Sequence, residues 1–168
     1  MKIGFLFPGQ GTQTIGMGKD LYEKYEEYRK IYEEVNKITG CKIDDLTFNS
    51  TDEELNQTKN TQISILTVSL AILEILKKEN INAEALMGLS LGEYTALIHS
   101  GILSFEDGIK IVQKRGELMQ NLCPDGDWSM AAILGLDELK VNEVCSNIEF
   151  GFVAPANYNC TGQIVISG

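Results

Sequence analysis

The pentapeptide Gly88-Leu89-Ser90-Leu91-Gly92 restricts the fold of this 168-residue chain more than any other stretch. A short apolar run, 83–87, precedes it, and a helical pattern over 91–100 follows it. Glycines on both sides of a serine permit a sharp strand-to-helix turn, because a side chain at either glycine would clash with neighbouring backbone. The pattern is typical of a nucleophile elbow, although a glycine-flanked serine that only caps a helix also fits the pentapeptide.

An elbow would place the Ser90 hydroxyl at the N-terminus of the following helix. There the backbone N–H groups and the positive end of the helix dipole stabilise an oxyanion that develops during attack on a carbonyl. A second N–H donor normally comes from a loop after an earlier strand. The uncharged apolar run 3–7 is typical of a buried parallel strand, and the loop Gly9-Gln10-Gly11 that follows it is placed to supply that donor.

The same glycine-rich loop has two other interpretations, a plain strand-to-helix turn and a phosphate-binding loop. The phosphate loop is disfavoured because no Gly-Lys-Ser/Thr follows and the spacing is not Gly-x-Gly-x-x-Gly. Helical patterns occupy most of the sequence between the two strands. One of them, apolar almost all round and capped by Thr61, predicts a buried central helix.

The character of the sequence changes at the turn 124–127, which divides the chain into a large subdomain, 1–125, and a small one, 126–168. The elements predicted after the turn are strand 130–134, a helix capped by Asp137, and strands 150–154 and 163–166. This β-α-β-β order is three-quarters of a ferredoxin-like unit. The predicted fold is therefore α/β: a partial, α/β-hydrolase-like parallel-sheet domain followed by an incomplete ferredoxin-like subdomain.

Composition excludes several classes of function. A formal net charge of -10 disfavours nucleic acid and anionic membranes as partners, because both bind clustered Lys and Arg. No stretch approaches the 18 apolar residues of a membrane span. Four widely spaced cysteines and a single histidine disfavour a metal site, and they suit reduced thiols in a cytoplasmic protein. We expect no permanently bound cofactor.

Four segments, in this order and at this spacing, together resemble bacterial malonyl-CoA:acyl carrier protein transacylases over the whole chain, Met1 to Gly168. The segments are Phe7-Pro8-Gly9-Gln10-Gly11-Thr12-Gln13, Gly88-Leu89-Ser90-Leu91-Gly92-Glu93-Tyr94, Gln113-Lys114-Arg115-Gly116, and Asn157-Tyr158-Asn159 ahead of Gly162-Gln163-Ile164-Val165-Ile166-Ser167-Gly168. Four such segments in register are far more specific than any one of them.

The resemblance implies that Ser90 accepts a malonyl group from malonyl-CoA and passes it to the phosphopantetheine thiol of acyl carrier protein. It assigns the oxyanion hole to the backbone N–H groups of Gln10 and Leu91. It places Gln62 at the border of the pocket and Asn157 near the active-site cleft. Taken without the family, Asn157 is a turn former between strands.

Arg115 matches the family arginine that pairs with the free carboxylate of the malonyl group. A guanidinium offers a carboxylate two parallel hydrogen bonds and does not lose its charge. An acetyl group would leave this arginine unpaired, which costs roughly a few kcal/mol. Taken without the family, Arg115 is a solvated helix arginine beside Lys114.

The chain departs from the family pattern at two points. Leu89 stands where the family usually has a histidine, which removes a polar group beside the nucleophile. The family's general-base histidine lies beyond residue 168, and His99 lies nine residues past Ser90, roughly 13 Å along the same predicted helix. That distance excludes a hydrogen bond between His99 and Ser90.

The chain therefore resembles the first half, or slightly more, of a transacylase, and we expect little or no transfer activity from it alone. Two alternatives stay open: a serine esterase of the α/β-hydrolase type, and a non-catalytic fragment that binds a carrier protein. Unfinished sheet edges favour self-association. Acyl carrier protein is acidic in this resemblance, so its docking needs a local basic patch, for which Lys110 and Lys114 are candidates.

Overall fold

A computed structural model describes residues 2–121 and 128–168. The chain forms two compact units, Met1–Leu122 and Cys123–Gly168. The predicted turn at 124–127 and the predicted subdomain boundary between residues 125 and 126 lie outside the described residues. Each unit is mixed α/β, the first with a parallel pair of strands and the second with an antiparallel three-stranded sheet.

The elements of the first unit are β1 (Gly4–Phe7), α1 (Lys19–Lys24), α2 (Glu26–Thr39), α3 (Ile43–Asn49), α4 (Asp52–Leu55), α5 (Thr58–Lys78), β2 (Ala85–Gly88), α6 (Leu91–His99) and α7 (Phe105–Asn121). Those of the second unit are β3 (Met130–Leu134), α8 (Glu138–Ser146), β4 (Ala154–Cys160) and β5 (Gln163–Ser167). The predicted cap at Asp137 is confirmed, since its side chain accepts the backbone N–H of Lys140. The side chains of Thr51 and Ser104 likewise accept a backbone N–H three residues later.

The parallel pairing of β1 with β2 positions the two glycine-rich segments. Phe7 pairs with Gly88, so both strands end at the same edge of the sheet, where the loop after β1 and the elbow after β2 begin. One face of the pair packs against the helices of the unit. On the other face Leu6 and Met87 are 75% and 64% exposed.

Helix α5 is the central buried element of the first unit. Its buried side chains come from all sides of the helix, as its apolar sequence predicted. The helix begins at Thr58, so Thr61 is not its cap; Thr61 is fully buried, and its hydroxyl donates to the Leu55 carbonyl at 2.6 Å. Among the described helices, only α5 is long and apolar enough to qualify as a membrane span, whereas the sequence led us to expect none. More than half of this apolar stretch is buried inside the unit.

The second unit has the strand order β3-β5-β4, with antiparallel neighbours throughout. This order places the third strand of the β-α-β-β run between the first two, as in a split βαβ unit. The strand predicted at 150–154 is displaced to Ala154–Cys160. Gly151 has a positive φ of 76° and Phe150 is 90% exposed, whereas the tight turn at Gly162 fixes the pairing of β4 with β5.

An aromatic cluster holds α2 in the core of the first unit. The rings of Tyr28 and Tyr32 stack at 5.6 Å, and Tyr32 also contacts Tyr22 and Phe48. The side chains of Tyr28 and Tyr32 are fully buried, and their hydroxyl oxygens have no hydrogen-bond partner among the described residues. Burial raises the pKa of Tyr28 to about 12 and also raises that of Tyr32, because a phenolate in this cluster would lose its hydration.

The raised pKa of Tyr28 predicts a loss of stability in alkaline solution. The Tyr28 hydroxyl loses its proton near pH 10.0 in the unfolded chain and only near pH 12 in the folded chain. The contribution of this group to the free energy of unfolding is therefore fully present below pH 10 and is lost as the pH rises from 10 to 12. We expect the free energy of unfolding, from urea titrations between pH 9 and 12, to fall by roughly 1 kcal/mol per pH unit from this group. Tyr28→Phe should reduce the slope; an unchanged slope would contradict the assignment.

Candidate active site

Ser90 lies between β2 and α6 in a backbone conformation that serine rarely adopts. Its φ of 53° and ψ of -100° lie outside the helical and extended regions, and only Ser90 and Asn80 among the described non-glycine residues have a positive φ. Such strain persists only where the surrounding structure enforces it, and it is typical of a nucleophile elbow. The side chain is exposed, so the hydroxyl is open to a ligand.

The two glycines of the pentapeptide are required by close backbone contacts. A Cβ at Gly88 would overlap the backbone of Gly92 and Glu93. A Cβ at Gly92 would overlap the backbone of Phe7 and Pro8. Helix α6 therefore begins directly against the end of β1, which joins the elbow to the loop that follows β1.

Two backbone N–H groups next to the elbow are free to bind an oxyanion. Leu91 is the first residue of α6, where an N–H has no intrahelical acceptor, and Gln10 lies in the loop after β1. Within residues 2–121, neither N–H has a hydrogen-bond partner. The loop reaches the elbow, since a Cβ at Gly9 would lie 2.9 Å from the Leu89 carbonyl oxygen.

The side chain of Gln13 holds the loop that contains Gln10. Its Oε1 accepts the Gly11 N–H at 2.8 Å, and its Nε2 donates to Asn56 Oδ1 at 2.6 Å. Gln10 itself donates to Thr58 Oγ1 at 3.4 Å. We did not predict this role for Gln13 from the sequence. Its position at the end of the family-like segment 7–13 was the one sequence feature that pointed to it.

Arg115 reaches the elbow from α7. Its Nη2 donates to Ser90 Oγ at 2.8 Å and its Nη1 to Gln62 Oε1 at 2.5 Å. The neighbouring Gly116 allows α7 to approach α5 closely, because a Cβ there would lie 2.8 Å from Lys59 Cα. Arg115 is therefore half-buried and hydrogen-bonded, rather than the solvated helix arginine of the alternative interpretation.

Gln62 connects the arginine to the loop after β1. This side chain is fully buried on α5. Its Oε1 accepts from Arg115, and its Nε2 donates to Met119 Sδ at 3.0 Å and to Gln10 Oε1 at 3.4 Å. Both ends of the amide are thus occupied, which fixes its orientation.

Tyr94 is a further neighbour of the guanidinium that the sequence did not single out. Its ring centroid lies 5.5 Å from Arg115 Cζ, within the range of a cation–π contact. The available signal was its position four residues after Ser90, since residues at that spacing lie on one side of a helix.

Three more residues that the sequence singled out are Asn157, His99 and Leu89. Asn157 belongs to the second unit, within β4 and opposite Val165 of β5, so it is not a turn former between strands. His99 is exposed at the C-terminal end of α6, with its ring 5.9 Å from that of Phe5. Leu89 is exposed beside Ser90. In residues 2–121 and 128–168, no three His, Cys, Asp or Glu side chains form a cluster suited to a metal ion.

Comparisons with known proteins show the family to which this chain is similar. Residues 4–168 match the family model described as the acyl transferase domain. The chain is 46% identical to the malonyl CoA-acyl carrier protein transacylase of Bacillus subtilis over 99% of its own length and 53% of that protein. The crystal structure of malonyl CoA-acyl carrier protein transacylase from Clostridium perfringens is 44% identical in sequence and has a TM-score of 0.91. The match covers 100% of this chain and 54% of the Clostridium perfringens chain.

A third relative is a malonyl-transacylase solved in complex with a type II polyketide synthase acyl-carrier protein. It is 36% identical with a TM-score of 0.90, and the match covers 100% of this chain and 55% of that one. This chain thus spans about half the length of the curated relatives that it matches.

The contact between α6 and β1 yields a prediction for Gly92. Gly92→Ala should lower the free energy of unfolding of the first unit by about 1–3 kcal/mol, because its Cβ meets backbone atoms that cannot move aside. Gly4→Ala is the matched control, since its Cβ would lie 3.7 Å from the nearest atom, an ordinary contact. Urea unfolding measures both variants, and equal stability of the two would contradict the prediction.

Proposed function

Because this chain belongs to the acyl transferase domain family and resembles malonyl CoA-acyl carrier protein transacylases, we propose that it carries two parts of a malonyl-transfer site. These parts are the nucleophile and the group that binds the malonyl carboxylate. The observation that carries the proposal is the 2.8 Å hydrogen bond from Arg115 to Ser90 Oγ. It places a permanent positive charge beside a serine on an elbow.

The proposed reaction has two acyl-transfer steps. Ser90 Oγ attacks the thioester carbonyl of malonyl-CoA and loses its proton to a base; the carbon–sulfur bond breaks, and the coenzyme A thiolate leaves and takes up a proton. The phosphopantetheine thiol of acyl carrier protein then attacks the malonyl-serine ester in the same way and releases Ser90. The free N–H groups of Gln10 and Leu91 would bind the oxyanion of each tetrahedral intermediate.

Arg115 would select the acyl group by its free carboxylate. The guanidinium is half-buried, and within the described residues it has no carboxylate within ion-pair distance. A malonyl carboxylate would accept two parallel N–H bonds from it, whereas an acetyl group would leave the charge without a counterion. Gln62, held at both ends of its amide, would keep the guanidinium in place.

The proton acceptor for Ser90 is not a histidine of these 168 residues. His99 is the single histidine, and it lies at the opposite end of α6 from Ser90. Its contact there is with the ring of Phe5. We therefore propose that the base comes from outside these residues, and that they alone transfer malonyl groups slowly.

Acyl carrier protein is the proposed acceptor, and one relative has been solved with such a protein bound. Lys110 and Lys114, the candidate basic residues, are already paired with Glu106 and Glu117 on their own helix. Each pair is locally neutral, which weakens these two lysines as a docking patch for an acidic protein. We propose a cytoplasmic location and no bound cofactor, on the sequence arguments given above.

Incubation with malonyl-CoA tests the proposed acyl-enzyme. We expect one malonyl group on the wild-type chain by intact-mass spectrometry, and none on Ser90→Ala. Arg115→Ala should slow malonylation about 10- to 100-fold relative to acetylation from acetyl-CoA, since the carboxylate loses its charged partner. Lys114→Ala is the matched control, because it removes a cation of the same helix that is exposed and paired with Glu117.

Two outcomes would contradict the proposal. Faster turnover of a nitrophenyl ester than of malonyl-CoA, unchanged in Arg115→Ala, would favour the esterase. Transfer to acyl carrier protein by the 168-residue chain at the rate of full-length relatives would show that the base lies within it.

We also propose that the sheet of the first unit mediates self-association. Among the described residues β1 and β2 each have an edge without a strand partner, and Leu6 and Met87 are exposed on one face. A groove of about 420 Å³, apolar in most of its lining, runs between β1 and α5. Unpaired edges and apolar faces of this kind favour pairing between chains.

Sedimentation equilibrium at increasing concentration tests the self-association. We expect dimers or larger species for the wild-type chain and a monomer for Met87→Lys, because a charge on the exposed face opposes its burial. Leu118→Lys, at an exposed position on α7, controls for the added charge. A wild-type chain that stays monomeric at all concentrations would contradict this proposal.

A further inference from the structure

We propose that Tyr94 determines acyl specificity by holding the Arg115 guanidinium against its ring face, in position for a carboxylate. The inference rests on the proposed function, since it concerns the same site. It gives a role to Tyr94, which lies outside the Gly-x-Ser-x-Gly pentapeptide and to which the sequence analysis assigned no function.

The position of Tyr94 follows from the elbow. Ser90 is the residue before α6, and Tyr94 is four residues later, so both lie on the same side of the first helical turn. The Tyr94 ring is half-buried and packs against the core of the first unit. One turn of rigid helix thus fixes the distance between the nucleophile and the aromatic face.

Three residues hold Arg115, two of them at the start of α6 and one on α5. Ser90 Oγ and Gln62 Oε1 accept hydrogen bonds from its two terminal nitrogens, and the Tyr94 ring lies 5.5 Å from Cζ. The two hydrogen bonds use N–H donors that a carboxylate would also need. The aromatic contact uses none of them, because the ring attracts the charge of the whole guanidinium.

The contacts of Arg115 must change when Ser90 is acylated. Ser90 Oγ becomes an ester oxygen, and Nη2 turns to the malonyl carboxylate. Of the two hydrogen bonds that Arg115 donates in the free site, only the one to Gln62 Oε1 then remains. The ring of Tyr94 keeps the guanidinium from turning about that bond, so the positive charge stays where the carboxylate arrives.

The role of Tyr94 is specific to carboxylated groups. An acetyl group makes no ion pair with Arg115, so the exact position of the guanidinium does not affect its binding. Removal of the aromatic face should therefore weaken malonyl binding and leave acetyl binding unchanged. A purely structural role for Tyr94 would weaken both equally.

Isothermal titration of the 168-residue chain with malonyl-CoA and with acetyl-CoA tests the inference. The measured quantity is the ratio of the two dissociation constants. We expect Tyr94→Leu to reduce the preference for malonyl-CoA about three- to tenfold, the range of a partly buried cation–π contact. Tyr94→Phe should keep the wild-type ratio, because it retains the ring. Leu97→Ala, half-buried on the same helix, is the control for a loss of packing.

The outcomes separate this inference from the proposed function. If Arg115→Ala abolishes the preference for malonyl-CoA and Tyr94→Leu leaves it intact, the role of Tyr94 is overturned and the proposed function is not. A wild-type chain that binds malonyl-CoA no better than acetyl-CoA would contradict both proposals. Equal losses for the two ligands in Tyr94→Leu, with a lower unfolding temperature, would assign Tyr94 to the core.

Discussion

The contact between the N-terminus of α6 and the end of β1 is the constraint on which the site depends. It exists because Gly92 has no side chain, so that the helix backbone lies directly against Phe7 and Pro8. This contact sets the elbow beside the loop after β1, where the N–H groups of Gln10 and Leu91 have no hydrogen-bond partner among the described residues. The positive φ of Ser90 is the local cost of that arrangement.

A second framework, built by α5 and α7, brings the charge of Arg115 to Ser90. The small residue Gly116 lets the two helices approach, and the fully buried amide of Gln62 receives the guanidinium of Arg115. The helix α5 is held in turn by the core that surrounds it on all sides. Under the proposed function, the elbow would supply reactivity and the helix pair would supply selectivity, so the two properties would rest on different contacts.

The sequence predicted the local features of this chain better than its long-range ones. The elbow, the parallel pair and the helix cap at Asp137 depend on neighbouring residues, and the structure has them as predicted. The cap at Thr61 and the strand at 150–154 were wrong, because a tertiary hydrogen bond to Leu55 and the pairing with β5 override local preference. The contacts of Arg115 with Ser90 and Gln62 join positions 25 and 53 residues apart. No local pattern encodes such contacts. The resemblance to a family gave Arg115 its role, whereas Tyr94 and Gln13 were part of the family-like segments without a role of their own.

The hydrogen bond from Arg115 to Ser90 Oγ has a consequence for the order of events in the site. In the free site, an electron pair of the attacking oxygen is already engaged by a cation. An incoming anion competes for the same N–H group and, in taking it, uncovers that electron pair. Under the proposed function, recognition of the substrate and exposure of the nucleophile are one event, and an acyl group that brings no anion meets a serine that is still masked.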